Sequence, residues 1–89
     1  MINFDEMSNK IDLIVKAMKT IETALGFDDD KCVAVEAPID ETYSLIAVRG
    51  GEAWFIMEGQ EIRYDFIPDD EWTYGDIIGA YVDLYFERE

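Results

Sequence analysis

The fold of this chain is decided by residues 41–67, which read ETYSLIAVRGGEAWFIMEGQEIRYDFI. Gly50-Gly51 and Gly59-Gln60 separate three runs that are rich in β-branched and aromatic residues. Glycine pairs, and glycine at the first central position, are typical of two-residue hairpin turns, because these turns need a positive φ. The stretch therefore predicts three antiparallel strands connected as a meander.

Two-residue turns also set which residues of neighbouring strands lie opposite each other. Counting outward from the turns places Tyr43 opposite Glu58 in the first hairpin and Trp54 opposite Asp65 in the second. Residues that lie directly opposite share a face of the sheet, and alternate residues change face. This register predicts an almost purely apolar face that packs on the core, made of Ile46, Val48, Ala53, Phe55, Met57, Ile62, Tyr64 and Phe66.

The opposite face of the predicted sheet is mixed, with an apolar centre at Leu45, Trp54 and Ile56 and charged residues at its margin. An aromatic centre inside a polar rim is the usual composition of a protein–protein interface. The alternative is that the second helix covers this face and makes a three-layer domain. The interface interpretation predicts that a partner binds this face and the acids after it, at Tyr43, Leu45, Glu52, Trp54, Ile56, Glu58, Glu61, Asp65, Asp69, Asp70 and Glu71.

One helix is predicted before the meander and another after it. From Phe4 to Leu25, apolar residues recur every three or four positions, as they do on one face of a helix. The second helix begins either near Pro68, where acids would favour the positive end of the helix dipole, or at Thr73. Thr73 is followed by Asp76 at the spacing of a reciprocal N-terminal cap.

A fourth strand is predicted at the edge of the sheet, over residues 31–37, KCVAVEA. The resulting class is α+β, with one α-β-β-β-β-α domain over residues 1–89. It has an N-terminal helix, a three- to four-stranded antiparallel β-meander and a C-terminal helix that packs on the sheet.

The second helix is apolar around most of its circumference, with Asp76, Asp83 and Glu87 as a narrow polar stripe. Such a helix is expected to be covered on more than one side. Gly75 and Gly79 would let another backbone approach it closely. Its surplus apolar surface predicts contact either with the sheet or with a second copy of the chain, as a homodimer.

The chain is strongly acidic, with 21 acidic and 7 basic residues and a net charge of −14. Residues 36–89 hold fourteen acids and three bases, so most of the negative charge lies on the sheet and the second helix. This balance argues against direct binding to nucleic acid or anionic lipid, both of which attract positive surfaces. It favours a partner with a basic surface.

Residues that commonly carry catalysis or hold metals are scarce. The chain has no histidine, and Cys32 is its one cysteine, so nucleophile–histidine pairs and zinc ligand sets are missing. Asp28-Asp29-Asp30 lacks the alternating ligands and central glycine of a calcium loop. We therefore expect no enzyme activity, no cofactor and no metal. A carboxylate-dependent hydrolase is the last alternative.

The location expected from the sequence is cytoplasmic. One cysteine cannot form an internal disulfide, which favours a reducing compartment. The first residues, MINFDEM, lack the basic and apolar blocks of a signal peptide. No uncharged run approaches the ~18–20 residues of a membrane span, so no membrane association is expected.

In size, acidity and helix–antiparallel sheet–helix layout, the chain resembles small phage-encoded inhibitors, including anti-CRISPR proteins and other DNA mimics. The resemblance implies a protein that occupies the positively charged nucleic-acid channel of an enzyme. We accordingly expect a non-enzymatic inhibitor or adaptor whose partner is a basic, nucleic-acid-binding protein such as a nuclease. A homodimeric structural module is the second interpretation.

Overall fold

The computed structural model describes residues 4–26 and 34–87. Its elements are α1 (Phe4–Gly26), β1 (Val35–Pro38), β2 (Tyr43–Val48), β3 (Ala53–Glu58), β4 (Glu61–Phe66) and α2 (Tyr74–Glu87). The strands form an antiparallel sheet in the order β1-β2-β3-β4. The predicted α+β class and element order are confirmed. The predictions for Asp28–Asp30, Cys32 and the start of the fourth strand lie outside the described residues.

Helix α1 fully buries the stripe that its sequence predicts only between Ile14 and Ile21. Ile14, Met18 and Ile21 are at most 6% exposed, whereas Phe4 in the first turn is 80% exposed. The helix is about 35 Å long at 1.5 Å per residue. It packs against β1, β2 and α2, so it lies over one half of the sheet.

Helix α2 begins at the second of its two predicted starting points. The Asp76 amide donates to Thr73 Oγ1 at 3.3 Å, and the Thr73 amide donates to Asp76 Oδ2 at 2.8 Å. This reciprocal pair satisfies amides that have no partner inside the helix. The cap leaves Asp69, Asp70 and Glu71 in the exposed connection before the helix.

The first hairpin has the predicted strand register and a different turn. Tyr43 lies opposite Glu58 and Val48 lies opposite Ala53, as predicted. The connection is a short 3-10 turn over residues 49–51, in which each residue has a positive φ between 55° and 96°. Arg49 therefore belongs to the turn, and the predicted two-residue loop is wrong.

The second hairpin departs from the predicted register at one residue. Glu58 lies opposite Glu61 as predicted, but Ile56 lies opposite Tyr64 and Trp54 lies opposite Phe66. A β-bulge inserts one extra residue into a strand, and it moves every later side chain to the other face. Here the shift between Ile56 and Met57 leaves Arg63 without a partner residue on β3.

The bulge changes which residues of β4 lie on each face of the sheet. It brings Tyr64 and Phe66 to the face that carries Trp54, and it sends Asp65 to the opposite face. Both helices pack on the Trp54 face, where the core residues of the sheet lie. We call this the inner face, and its buried residues are Ala37, Tyr43, Leu45, Ala47, Trp54, Ile56 and Phe66.

The assignment of the core to the other face was therefore wrong. The predicted core residues Ile46, Val48, Phe55 and Met57 are half-buried, and Ile62 is 54% exposed. Aromatic side chains each bury a large area and pair edge-to-face. With the rings of the helices and of β4 gathered on the inner face, that face offers the larger burial.

Candidate interaction surface

The apolar residues predicted to bind a partner lie instead in the core. Tyr43, Leu45, Trp54 and Ile56 are each at most 1% exposed. The Tyr43 ring contacts Tyr81 of α2 in an edge-to-face arrangement, with ring centroids 6.0 Å apart. A partner could reach these side chains only if the helices detached from the sheet. This part of the predicted site is corrected because the helices cover that face.

Trp54 shows how tightly the inner face is held. Its Nε1 donates to the Gly51 carbonyl at 2.8 Å, which ties the indole to the turn before β3. Its ring lies 5.7 Å from that of Tyr74 on α2, again edge-to-face. The polar and apolar parts of the indole are thus both satisfied inside the protein.

The acidic residues of the predicted site remain at the surface but do not surround one centre. Glu52, Glu61, Asp65, Asp69, Asp70 and Glu71 are exposed, and Glu58 is half-buried. Glu58 forms an ion pair with Arg63. Glu52 precedes β3, whereas Glu58 and Glu61 flank the turn at the opposite end of the sheet. Of the predicted acids on the strands, Asp65 lies on the face turned away from the helices.

That second face is the one that the sequence assigns to the core. We call it the outer face, and its apolar residues are Ile46, Val48, Phe55, Met57 and Ile62. None of them belongs to the core that the described helices share with the sheet. Ile62 is 54% exposed and the other four are half-buried. The face is thus an apolar sheet surface that neither described helix covers, and apolar surface of this kind is a candidate interaction site.

The outer face is organised in rows that run across the strands. The central row reads Glu36, Ile46, Phe55 and Asp65, one residue from each strand. Its two inner residues are apolar and its two outer residues are exposed carboxylates. With strands about 4.8 Å apart, the backbones that carry the carboxylates are about 14 Å apart.

The rows on either side extend the apolar strip. One contains Val48 opposite Ala53, and the other contains Ser44, Met57 and Ile62. The strip therefore continues along β2 and β3, the two inner strands.

Few of the basic residues that the structure describes lie on this surface. The lysines of residues 4–26 and 34–87 are Lys10, Lys16 and Lys19, and all lie on α1. They are therefore in the helix layer behind the sheet. Arg49 lies in a turn at one end of the strands, and Arg63 is paired with Glu58. The potential over the outer face is set mainly by carboxylates.

A separate polar cluster joins both helices to the connection between β1 and β2. Asp40 Oδ1 accepts hydrogen bonds from the amides of Thr42 and Tyr43, each at 2.7 Å. Asp40 Oδ2 accepts from the Tyr81 hydroxyl at 2.6 Å and lies 4.0 Å from Lys10 Nζ. Burial by itself would raise the pKa of Asp40, but these hydrogen bonds and the Lys10 charge outweigh it, and the pKa is lowered.

The same cluster borders a cleft of about 310 Å³, lined by Lys10, Asp40, Glu41, Thr42 and Tyr85. Lys10 Nζ lies 4.2 Å from the centre of the Tyr85 ring, and the Tyr85 hydroxyl donates to Glu6. Burial and the hydrogen bond to Asp40 raise the pKa of Tyr81 well above its ordinary value. A carboxylate with a lowered pKa and two engaged oxygens is a poor general base. The arrangement holds the helices in place.

The exposed side of α2 bears on the predicted homodimer. Asp76, Asp83 and Glu87 are exposed along it. A Cβ added at Gly79 would meet no atom within 4 Å, so no neighbouring backbone in the described chain explains that glycine. Two copies that met through this side would bring their carboxylate stripes together, which opposes association. The homodimer stays a prediction.

Residues 4–26 and 34–87 contain no group of three or more His, Cys, Asp or Glu side chains placed to hold a metal ion. Neither described helix is long and apolar enough to cross a membrane.

The fold and the surface together define an α+β protein with one layer of helices, one antiparallel sheet and an open apolar sheet face. No protein-family model matches the chain, and comparison with curated proteins and with solved structures also gives no match.

Proposed function

We propose that this protein is a non-enzymatic acidic module that binds a basic protein surface through its outer face. In this proposal the partner is a nuclease or another nucleic-acid enzyme, and the module inhibits it by occupying the surface that binds nucleic acid. The observation that carries the proposal is the central row of the outer face, in which Ile46 and Phe55 are flanked by Glu36 and Asp65.

The two kinds of residue in this row have different physical roles. The partly exposed apolar side chains favour binding when a partner removes their remaining surface from water, by ~25 cal/mol per Å². Carboxylates on the rim mainly steer a basic partner and raise the rate of association. The net charge of −14 adds a long-range attraction toward a basic partner.

Mimicry of nucleic acid on this surface is partial. Duplex DNA carries one charge per ~1.7 Å of its axis, whereas the backbones that carry the two carboxylates of the central row are about 14 Å apart. Charge alone would therefore not compete with DNA for a basic channel. Contact with the apolar strip must supply much of the affinity, which makes Phe55 the residue to test.

The test is displacement of nucleic acid from purified nucleic-acid enzymes with basic channels. A fluorescent duplex bound to each enzyme is titrated with the wild-type protein, with Phe55→Ala and with Phe4→Ala. Phe4 is the matched control because it is an exposed aromatic residue on α1, away from the outer face.

The expected result is that the wild type and Phe4→Ala displace the duplex, and that Phe55→Ala does so at least about tenfold more weakly, as an apolar anchor would. Displacement by the wild type should weaken as the salt concentration rises, because salt screens the attraction between the charges of the two proteins. Displacement that Phe55→Ala leaves unchanged would contradict the proposed surface. If no enzyme in the set releases its duplex, the proposed inhibitory function is wrong for that class of enzyme.

A further inference from the structure

We infer that the element of the partner that lies on the outer face is an amphipathic α-helix with cationic residues on both flanks of its apolar stripe. The inference rests on the proposed function and names the chemistry of the partner at that site. Its basis is the juxtaposition, in one row of four strands, of an apolar pair with a carboxylate on each side.

The width of the row fits one helix. Ile46 and Phe55 lie on the two inner strands, and Glu36 and Asp65 lie on the two edge strands. The carboxylate-bearing backbones are about 14 Å apart, and a helix with its side chains is about 10–12 Å across. A single helix over the inner strands would cover the apolar pair, and cationic side chains on its flanks would reach a carboxylate on each side.

The spacing of the rows along the strip is close to the rise of a helix over four residues. Val48, Ile46 and Ser44 mark successive rows along β2 and face the outer side at every second residue. Alternate strand residues are about 6.7 Å apart, and helix residues four apart rise about 6.0 Å. Apolar residues at positions i, i+4 and i+8 of a helix would therefore meet one row after another.

A partner strand is a poorer fit because both edges of the sheet are interrupted. β1 ends at Pro38, which has no amide hydrogen to donate. β4 carries the bulge at Arg63, and bulges and charged residues are common devices against edge pairing. The apolar surface lies on the face, over β2 and β3, and not along either edge.

A second copy of this chain is also a poorer fit. Two outer faces packed together would bring Glu36 and Asp65 of each copy to a shared interface, between chains of charge −14 each. Like charges placed together oppose association, whereas lysine or arginine flanks on a helix complement the same carboxylates. The inner face of this sheet already packs helices, and a helix on the outer face would complete a three-layer arrangement of a known kind.

The experiment uses two synthetic peptides of about 15 residues and of identical leucine and lysine composition. One has leucines at helical spacing with lysines on both flanks, and the other alternates leucine and lysine as a strand would. Binding to the full protein is measured by fluorescence anisotropy at two salt concentrations, and helix formation is followed by circular dichroism.

The protein variants separate the face from general charge. Phe55→Ala and Ile62→Ser test the apolar strip at two independent positions. A double variant, Glu36→Gln with Asp65→Asn, removes the carboxylates that flank the row. Its matched control is Asp12→Asn with Asp83→Asn, which removes two exposed acids from the helix layer. Thermal unfolding of each variant establishes that it is folded.

The expected result is that the helical peptide binds at least about tenfold more tightly than the alternating one and gains helix on binding. Phe55→Ala or Ile62→Ser, whichever is folded, should weaken binding of the helical peptide by about tenfold. The Glu36→Gln, Asp65→Asn double variant should weaken this binding more than the control double variant does. Equal binding of the two peptides, or equal losses in the two double variants, would overturn the inference. If duplex displacement still depends on Phe55 in that case, the proposed function stands without a helical partner.

Discussion

Trp54 and Phe55 are neighbours on β3, yet they lie on opposite faces of one sheet in different surroundings. Trp54 is 1% exposed, donates a hydrogen bond to Gly51 and packs on Tyr74. Phe55 lies between Ile46 and Asp65 on a face that the described helices leave open. The core therefore formed on the face that carries the larger rings, and an apolar face with smaller residues was left without a helix.

The largest expected effect comes from truncating the two neighbours in turn. Trp54→Ala should lower the free energy of unfolding by ~3–5 kcal/mol, because it empties a fully buried site. Phe55→Ala should cost about 1 kcal/mol, nearer to the range of surface substitutions. Urea unfolding of both variants measures the difference. Equal losses would mean that the outer face is covered as well as the inner one.

The polar cluster at Asp40 holds the helices on the inner face. Its loss should cause the next largest decrease in the free energy of unfolding. Asp40→Ala removes the acceptor for two backbone amides and for Tyr81. Leaving such groups unpaired costs ~1–3 kcal/mol. We therefore expect the free energy of unfolding, measured with urea, to fall by about 2 kcal/mol. Glu41→Ala, at the exposed neighbouring residue, is the matched control and should change stability little. A similar loss in both variants would show that the turn, and not the carboxylate, matters.

The same carboxylate predicts a pH dependence. Because the folded state lowers the pKa of Asp40, its contribution is present above the pKa of the unfolded chain and is lost as the pH falls through the folded value. Protonation of the other acids relieves repulsion at low pH, so the comparison must be with Asp40→Asn. The difference in melting temperature between wild type and variant should shrink as the pH falls from 7 to below about 4. A constant difference would contradict this linkage.

Several local features could be predicted from the sequence because each depends on neighbouring residues. The apolar spacing of α1, the register set by Gly50-Gly51 and the cap at Thr73 are all of this kind, and the structure confirms them. Which face of the sheet packs on the helices is a tertiary property. It depends on the summed size of side chains from four elements, which a residue count along the strands does not represent.

The bulge at Arg63 contributed to the wrong assignment, because without it Tyr64 and Phe66 count toward the apolar face that the sequence assigns to the core. No glycine or proline marks that position, and a bulge without such a signal is invisible to a pairing count. Its effect was to exchange Asp65 with Phe66 between the faces. Among the predicted site residues, Asp65 is therefore on the outer face, but its apolar companions are Ile46 and Phe55.

The smallest expected effect sharpens the comparison most directly, and it comes from deleting Arg63. The deletion leaves Ile56 opposite Tyr64 and Trp54 opposite Phe66 without any extra residue. The exposed ion pair with Glu58 is lost, and such solvent-exposed pairs contribute little to stability. We therefore expect the free energy of unfolding, measured with urea, to change by about 1 kcal/mol or less. The indole fluorescence of the folded state should be retained. Deleting Asp65 instead is the control, because it would turn Phe66 away from the inner face and should cost several times more. If deleting Arg63 is as costly as deleting Asp65, the strand needs the bend that the bulge supplies, and the two faces are not set by register alone.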